Sequence, residues 1–318
     1  MGGADGLRVR RVLRVRRRDR RRAEKVVCGR TCVVLLLNAS GCLDALTAPD
    51  VAQSLDAFVT KTVTPEPREG NRPVRIAETD HGMLNAIGLA NPGRDAFLSK
   101  TLPRLASEID RPIWVSVGGF SVRDYVETCE QLTRDEVACI ELNLSCPNVD
   151  EAPESAAEIV RACREATANP LYAKVSPHSW DMAETVRAVE AAGADGISMV
   201  NTLRGVALDA RLAPTLARGA GGYSGPALKP VALAAVLAAR RATELPIVGM
   251  GGVANGRDAL ELIACGATHV ALGTILFADP DAPARVRDEL AAECARLGFA
   301  SPDDAFCAAL DGVAKVAN

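Results

Sequence analysis

The chain has 318 residues, 48% of them hydrophobic and 24% charged, with a formal net charge of -3. That length suffices for one large α/β domain or two small ones, and the near-balanced charge implies no general attraction to nucleic acid or membranes. Ten Cys without a CxxC pair and only three His argue against a disulfide framework and against a metal site, so the chain reads as reduced and cytoplasmic.

The charge is unevenly spread. Residues 8–22, RVRRVLRVRRRDRRR, are almost solid arginine, a run that can meet RNA or a membrane or precede a signal-peptide core. The apolar run Cys32–Leu37 is too short for such a core, and no later stretch has the length of a transmembrane helix. Residues 1–30 are therefore expected to be a disordered or mis-started Arg-rich leader, and residues 31–318 a single domain, because like-charge runs rarely pack.

From residue 33 onward, β-branched runs alternate with segments of helical period. Strands are predicted at 33–37 and 57–61, a helix at 94–108, a strand at 113–117, and a helix over "SVRDYVETCEQL". In that helix Ser121 caps the start, and Val122, Tyr125, Val126, Cys129 and Leu132 share one face. Further on, strands at 138–143, 171–175, 196–200, 246–250 and 269–273 alternate with helices at 153–168, 180–192, 230–242, 256–265 and 281–297. The pattern predicts eight parallel strands buried on both faces, the number that closes a (β/α)8 TIM barrel. An open doubly wound sheet is the alternative, and the lack of GxGxxG after the first strand favours the barrel. Two inserts, 62–93 and 203–229, exceed ordinary loop length, which marks them as functional segments.

In such a barrel, chemistry lies at the C-terminal ends of the strands. The residues there are Asn38, Ser40 and Gly41; Lys61 and Thr62; Ser116; Asn143 and Cys146; Lys174; Asn201 and Thr202; Gly251 and Gly252; Gly273 and Thr274. Lysines and amides without an Asp, Glu or His cluster suit an anionic, amide-rich ligand and argue against metal hydrolysis or paired-carboxylate chemistry. The turns "GMGGV" and "LGT" on adjacent strands offer backbone N–H groups to a phosphate, although each glycine alone could serve a tight turn. Lys61 and Lys174 could simply reach solvent. Within "LYAKVSP", however, a charge must be paired or functional. Cys146 could be a small hydrophobe in a turn, but its place beyond a strand, between Asn143 and Asn148, favours a catalytic thiol.

Taken in order, "TKTVTPEPREGNRPVRIAET", "GMLNAIGLANPG", "ELNLSCPNV", "AKVSP", "VNT", "GGYSGPALKP", "GMGGV" and "ALGT" resemble the class 1 dihydroorotate dehydrogenases from about Asn38 to about Asp281. The "AET" ending is more similar to class 1B than to class 1A. The resemblance implies an FMN enzyme that oxidises (S)-dihydroorotate to orotate in pyrimidine biosynthesis. Cys146 would remove the C5 proton while hydride passes from C6 to flavin N5. Lys61, Asn143, Asn148, Asn201 and Thr202 would surround the substrate, with Asn85, Ala86, Ile87, Gly88 and Leu89 supplying contacts from the first insert. Ser40, Lys61, Thr62, Ser116 and Asn143 would meet the flavin, Lys174 its N1 and O2 edge, and Val200 and Gly225 its ring and ribityl chain. Gly251, Gly252, Gly273 and Thr274 would hold its phosphate, and no metal is implied.

Two departures stand out against the resemblance. Ser116 replaces an Asn usual in the family, and "PNVDEAPESAAEIV" after Cys146 lacks the longer Gly-rich stretch that usually forms a lid. Class 1B enzymes pass electrons to NAD through a separate subunit with FAD and an iron–sulfur cluster. This chain carries no cysteine pattern for a cluster, so such a partner must be another polypeptide. Fumarate is the alternative acceptor, and a homodimer or heterotetramer the expected assembly. Two other readings stay open: a related FMN barrel acting on another dihydropyrimidine, and a catalytically silent flavin-binding subunit.

Overall fold

Alternation along each short strand builds the architecture, one set of side chains facing the barrel axis and the other facing the helices. The computed structural model describes residues 26–27, 30–31, 34–144, 153–177 and 181–316. A small antiparallel ribbon pairs β1 (Val26–Val27) with β2 (Arg30–Thr31). The remaining strands are β3 (Leu35–Asn38), β4 (Phe58–Val59), β5 (Ile76–Thr79), β6 (Gly82–Asn85), β7 (Ile113–Val117), β8 (Val137–Asn143) and β9 (Leu171–Lys174), followed by β10 (Gly196–Met199), β11 (Leu203–Gly205), β12 (Gly221–Ser224), β13 (Ile247–Met250) and β14 (His269–Leu272).

An eight-stranded parallel sheet runs in the order β3-β14-β13-β10-β9-β8-β7-β4, and a parallel bridge from Leu37 to Ala57 joins its two ends. The predicted TIM barrel is therefore the fold. Its closing seam has little backbone pairing, and the Asn38 side chain substitutes for the missing ladder. The buried amide accepts from Val59 N–H at 2.8 Å through Oδ1 and donates to the Val59 carbonyl at 2.7 Å through Nδ2. Asp56 helps at the other end, its carboxylate accepting from Leu36 N–H at 2.7 Å.

Inside the barrel, Leu37, Ala57, Val59, Trp114, Cys139, Tyr172, Val248, Met250 and Ala271 form one apolar cluster. The outward set, including Leu36, Phe58, Val115, Ile140, Leu142, Ala173, Ile197 and Leu272, packs with the helices in a second, larger cluster. Helices Val122–Gln131, Met182–Ala191 and Gly256–Ala264 start where Ser121, Asp181 and Asn255 each accept a backbone N–H three residues on, which satisfies an otherwise orphan donor. Helices also span Pro153–Ala166, Lys229–Ala242 and Ala282–Arg296, close to the expected ranges. The segment expected as one helix at 94–108 contains a π-helical stretch, Phe97–Thr101, between two α-helical pieces.

The two long inserts are not loops. They combine in a four-stranded antiparallel sheet, order β11-β12-β6-β5, so that segments more than a hundred residues apart in sequence fold on one another. A last helix, Pro302–Val316, was also outside the expected pattern. Cys307 on that helix is disulfide-bonded, which departs from the expectation of a reduced chain, while Cys42, Cys129, Cys139, Cys163, Cys265 and Cys294 are free thiols. Among the described residues, no helix is long and apolar enough to cross a membrane.

Candidate active site

The C-terminal ends of the barrel strands and the inner side of the insert sheet enclose a cavity of about 840 Å³, within the roughly 300–1,000 Å³ usual for small-molecule and cofactor sites. Its lining brings together nearly all the residues expected from sequence: Ser40, Lys61, Thr62, Asn143, Lys174, Val200, Asn201 and Thr202 from the barrel, and Asn85, Ala86, Ile87, Gly88 and Leu89 from the first insert. Gly225 contributes from the second insert, and Gly251, Gly252, Gly273 and Thr274 from beyond β13 and β14. Cys146 and Asn148 lie outside the described residues.

A chain of hydrogen bonds fixes the polar side chains across four strands. The Ser40 hydroxyl donates to the Thr60 carbonyl at 2.9 Å and lies 3.2 Å from the Thr62 hydroxyl. Asn143 Nδ2 donates to Thr62 Oγ1 at 3.3 Å, while Asn143 Oδ1 accepts from Asn201 Nδ2 at 3.2 Å. Asn201 Oδ1 in turn accepts from Thr202 N–H at 2.8 Å. The Tyr125 hydroxyl, donating to the Asn143 carbonyl at 2.7 Å, ties the end of β8 to the helix outside. The amides are thereby held in set orientations before any ligand arrives.

Ser116 stands apart from the other expected residues. It is fully buried, absent from the cavity lining, and 3.0 Å from the Thr62 hydroxyl. Its place is behind Thr62, where it supports a lining residue.

Two lysines from the barrel strands, Lys61 and Lys174, reach the cavity. Burial pushes the Lys61 ammonium below the ordinary lysine pKa, and the positive charge of Lys174 adds to the depression. The half-buried Cys42 thiol, also in the lining, is pushed up by burial against the opposing pull of Lys174 and Lys61. Lys174 meets a carboxylate, Glu141 Oε1, at 3.5 Å. A charge in an apolar strand was expected to be either paired or functional; Lys174 is both paired and in the lining.

The glycine turn after β13 has a steric requirement. Gly252 has φ +80, and a Cβ there would fall 2.8 Å from Lys229 N and Cβ and 3.0 Å from the Gly225 carbonyl oxygen. Only glycine lets these backbones approach so closely. Nearby, Thr274 Oγ1 donates to Ser224 Oγ at 2.8 Å, joining the β14 turn to the insert sheet.

Several lining residues had no place in the sequence reading: Cys42, Asn71, Ser176, Arg204, Arg218 and Ser224. Four sit within the quoted motifs or beside strand ends, in "NASGC", "TKTVTPEPREGNRPVRIAET", "AKVSP" and "GGYSGP", and are legible from position. Arg204 and Arg218 depend on the folding of the second insert, for which no local signal exists.

A parallel barrel with a preorganised, cation-bearing and amide-lined mouth belongs to the (β/α)8 enzymes that bind an anionic ligand at the strand ends. The dihydroorotate dehydrogenase family model matches residues 23–294. A dihydroorotate dehydrogenase B (NAD(+)), catalytic subunit, from Halalkalibacterium halodurans is 46% identical over 254 residues, covering 77% of this chain and 83% of the relative. One of the same name from Latilactobacillus sakei is 46% identical over 252 residues, covering 76% and 82%. A crystal structure of DHODH in complex with ferulenol, from Eimeria tenella, superposes with a TM-score of 0.75 over 88% of this chain and 86% of that one at 22% identity, which supports the fold. The chain belongs to the dihydroorotate dehydrogenase family.

Proposed function

We propose that this chain is the FMN-bearing catalytic subunit of a class 1B enzyme that oxidises (S)-dihydroorotate to orotate. The convergence of Lys61, Lys174, the Asn85, Asn143 and Asn201 amides and the Gly251–Gly252 turn on one cavity carries the reading. Amide side chains match a ring with imide donors and acceptors, and Lys61 offsets a carboxylate.

The residues present fit FMN. Gly252 lets the turn after β13 close against Lys229 and Gly225, and Gly251, Gly252, Gly273 and Thr274 line the cavity, where backbone N–H groups and the Thr274 hydroxyl suit a phosphate. Lys174 gives a cation suited to the electron-rich edge of the ring. FMN, when bound, supplies the acceptor for the electron pair and hydrogen that leave C6.

The chain's own residues do the remainder. Cys146 takes the C5 proton of the substrate, so that the C5–C6 double bond forms as both hydrogens depart. A free thiol titrates near about 8.5, so the base works as thiolate only where its surroundings favour that form. Asn143 and Asn201, locked to each other, orient the ring, and the insert sheet excludes water. A separate subunit, with FAD and an iron–sulfur cluster of its own, would carry the electrons on to NAD; the names of the Halalkalibacterium and Latilactobacillus relatives, catalytic subunits of an NAD(+) enzyme, support a further subunit and NAD as acceptor.

Replacing Cys146 by Ala tests the assignment. Dihydroorotate oxidation with an artificial acceptor should fall by about 100-fold or more, the scale of a lost general base, while flavin content stays at the wild-type level. Activity close to wild type would remove Cys146 as the base.

A further inference from the structure

Among the described residues, Glu141 is the one charged residue of the barrel interior that the proposed chemistry leaves without a task. Along β8, Cys139, Glu141 and Asn143 point to the same side; Cys139 belongs to the inner apolar cluster and Asn143 lines the cavity. Glu141 thus sits between apolar barrel and polar mouth. Its strand partners are Ser116 on β7 and Tyr172 on β9. Its side chain is 2% exposed and that of Lys174 7%, with Nζ and Oε1 3.5 Å apart.

Glu141 Oε1 has no hydrogen-bond partner, so the pair attracts electrostatically without a tight clamp. A buried carboxylate so placed is costly, and as a mere structural pair it would be no better than apolar packing. It does have an electrostatic consequence at the mouth. Among the described residues, no carboxylate forms an ion pair with Lys61, so Glu141 alone offsets cationic charge at the inner end of the cavity.

We propose that Glu141 is a positioning residue that holds the Lys174 ammonium toward the cavity and partly cancels its charge, thereby setting how strongly the site favours the reduced, more negative form of its flavin. The inference rests on the FMN reading of the cavity. Reduction adds negative charge beside Lys174, and a cation freed of its counter-charge stabilises that state further.

The test is the two-electron midpoint potential of the flavin-loaded protein, titrated anaerobically, for wild type and Glu141→Gln. The variant keeps the shape and removes the charge. Its midpoint should rise by at least about 30 mV, a tenfold gain in preference for reduced over oxidised flavin. Glu141→Asp, which moves the carboxylate one methylene away from Lys174, should rise less and in the same direction. It carries the test alone if Glu141→Gln does not fold. Wild-type potentials in the folded variants, with or without a lowered melting temperature, would leave Glu141 a structural residue and overturn the proposal. A wild-type chain that takes up no FMN would instead overturn the cofactor reading on which the proposal stands.

Discussion

Substituting Gly252 by Ala separates backbone strain from steric exclusion at the proposed phosphate turn. Gly252 and Gly298 have nearly the same conformation, φ +80 and +84, but a Cβ at Gly298 meets nothing within 4 Å whereas one at Gly252 meets Lys229 at 2.8 Å and the Gly225 carbonyl oxygen at 3.0 Å. A left-handed alanine costs about 1–2 kcal/mol, offset by about 0.4–1 kcal/mol from the stiffer unfolded chain. Gly298→Ala should therefore lose about 0–1.6 kcal/mol. Gly252→Ala adds overpacking against backbone, about 1–3 kcal/mol, for a total of about 1–5 kcal/mol. Because the atoms that must move include Gly225, which lines the same cavity, flavin retention should fall with stability. Urea unfolding of both variants, with flavin content measured after desalting, gives the comparison. Equal stability losses with full flavin in Gly252→Ala would refute the close-approach argument.

Asn38→Ala removes the two hydrogen bonds that this amide makes across the barrel seam and leaves the buried N–H and C=O of Val59 without these partners. At about 1–3 kcal/mol per unsatisfied group, the loss should reach about 2–6 kcal/mol by denaturant unfolding; a loss under about 1 kcal/mol would show that the seam does not depend on this amide. Lys61 gives a pH signature. Its folded pKa lies below the ordinary value of about 10.4, so between the two values the unfolded chain holds more protons and stability rises with pH. Below that window the burial cost stands in full. Lys61→Met should thus gain stability relative to wild type near pH 7, with the gain shrinking toward pH of about 10, while binding of anionic substrate is lost. A constant difference across that range would refute desolvation as the cause.

The barrel was legible because its strands are continuous apolar runs separated by helical periods, and every predicted strand falls on an observed one to within a residue or two. The strand-end rule then collected Ser40, Lys61, Thr62, Asn143, Lys174, Asn201 and Thr202 into what is one cavity. Tertiary pairing was not legible. β11 and β12, with sequences LRG and GGYS, lack the β-branched residues that signal strands, and the pairing of β12 with β6 across a long sequence separation supplies what propensity does not. Ser116 shows a second limit: strand position placed it near the mouth, but only packing decides that it backs Thr62 rather than facing the cavity. Glu141 could have been found from the alternation through Cys139 and Asn143. Its ion pair with Lys174 depends on the neighbouring strand's register, which no local pattern carries.

The most direct measurement mixes the purified, flavin-loaded chain with dihydroorotate in the absence of oxygen and follows the visible flavin absorbance. Bleaching is expected at a stoichiometry of about one substrate per flavin, with orotate as product. Persistent yellow colour with flavin bound would contradict it and turn attention to another dihydropyrimidine.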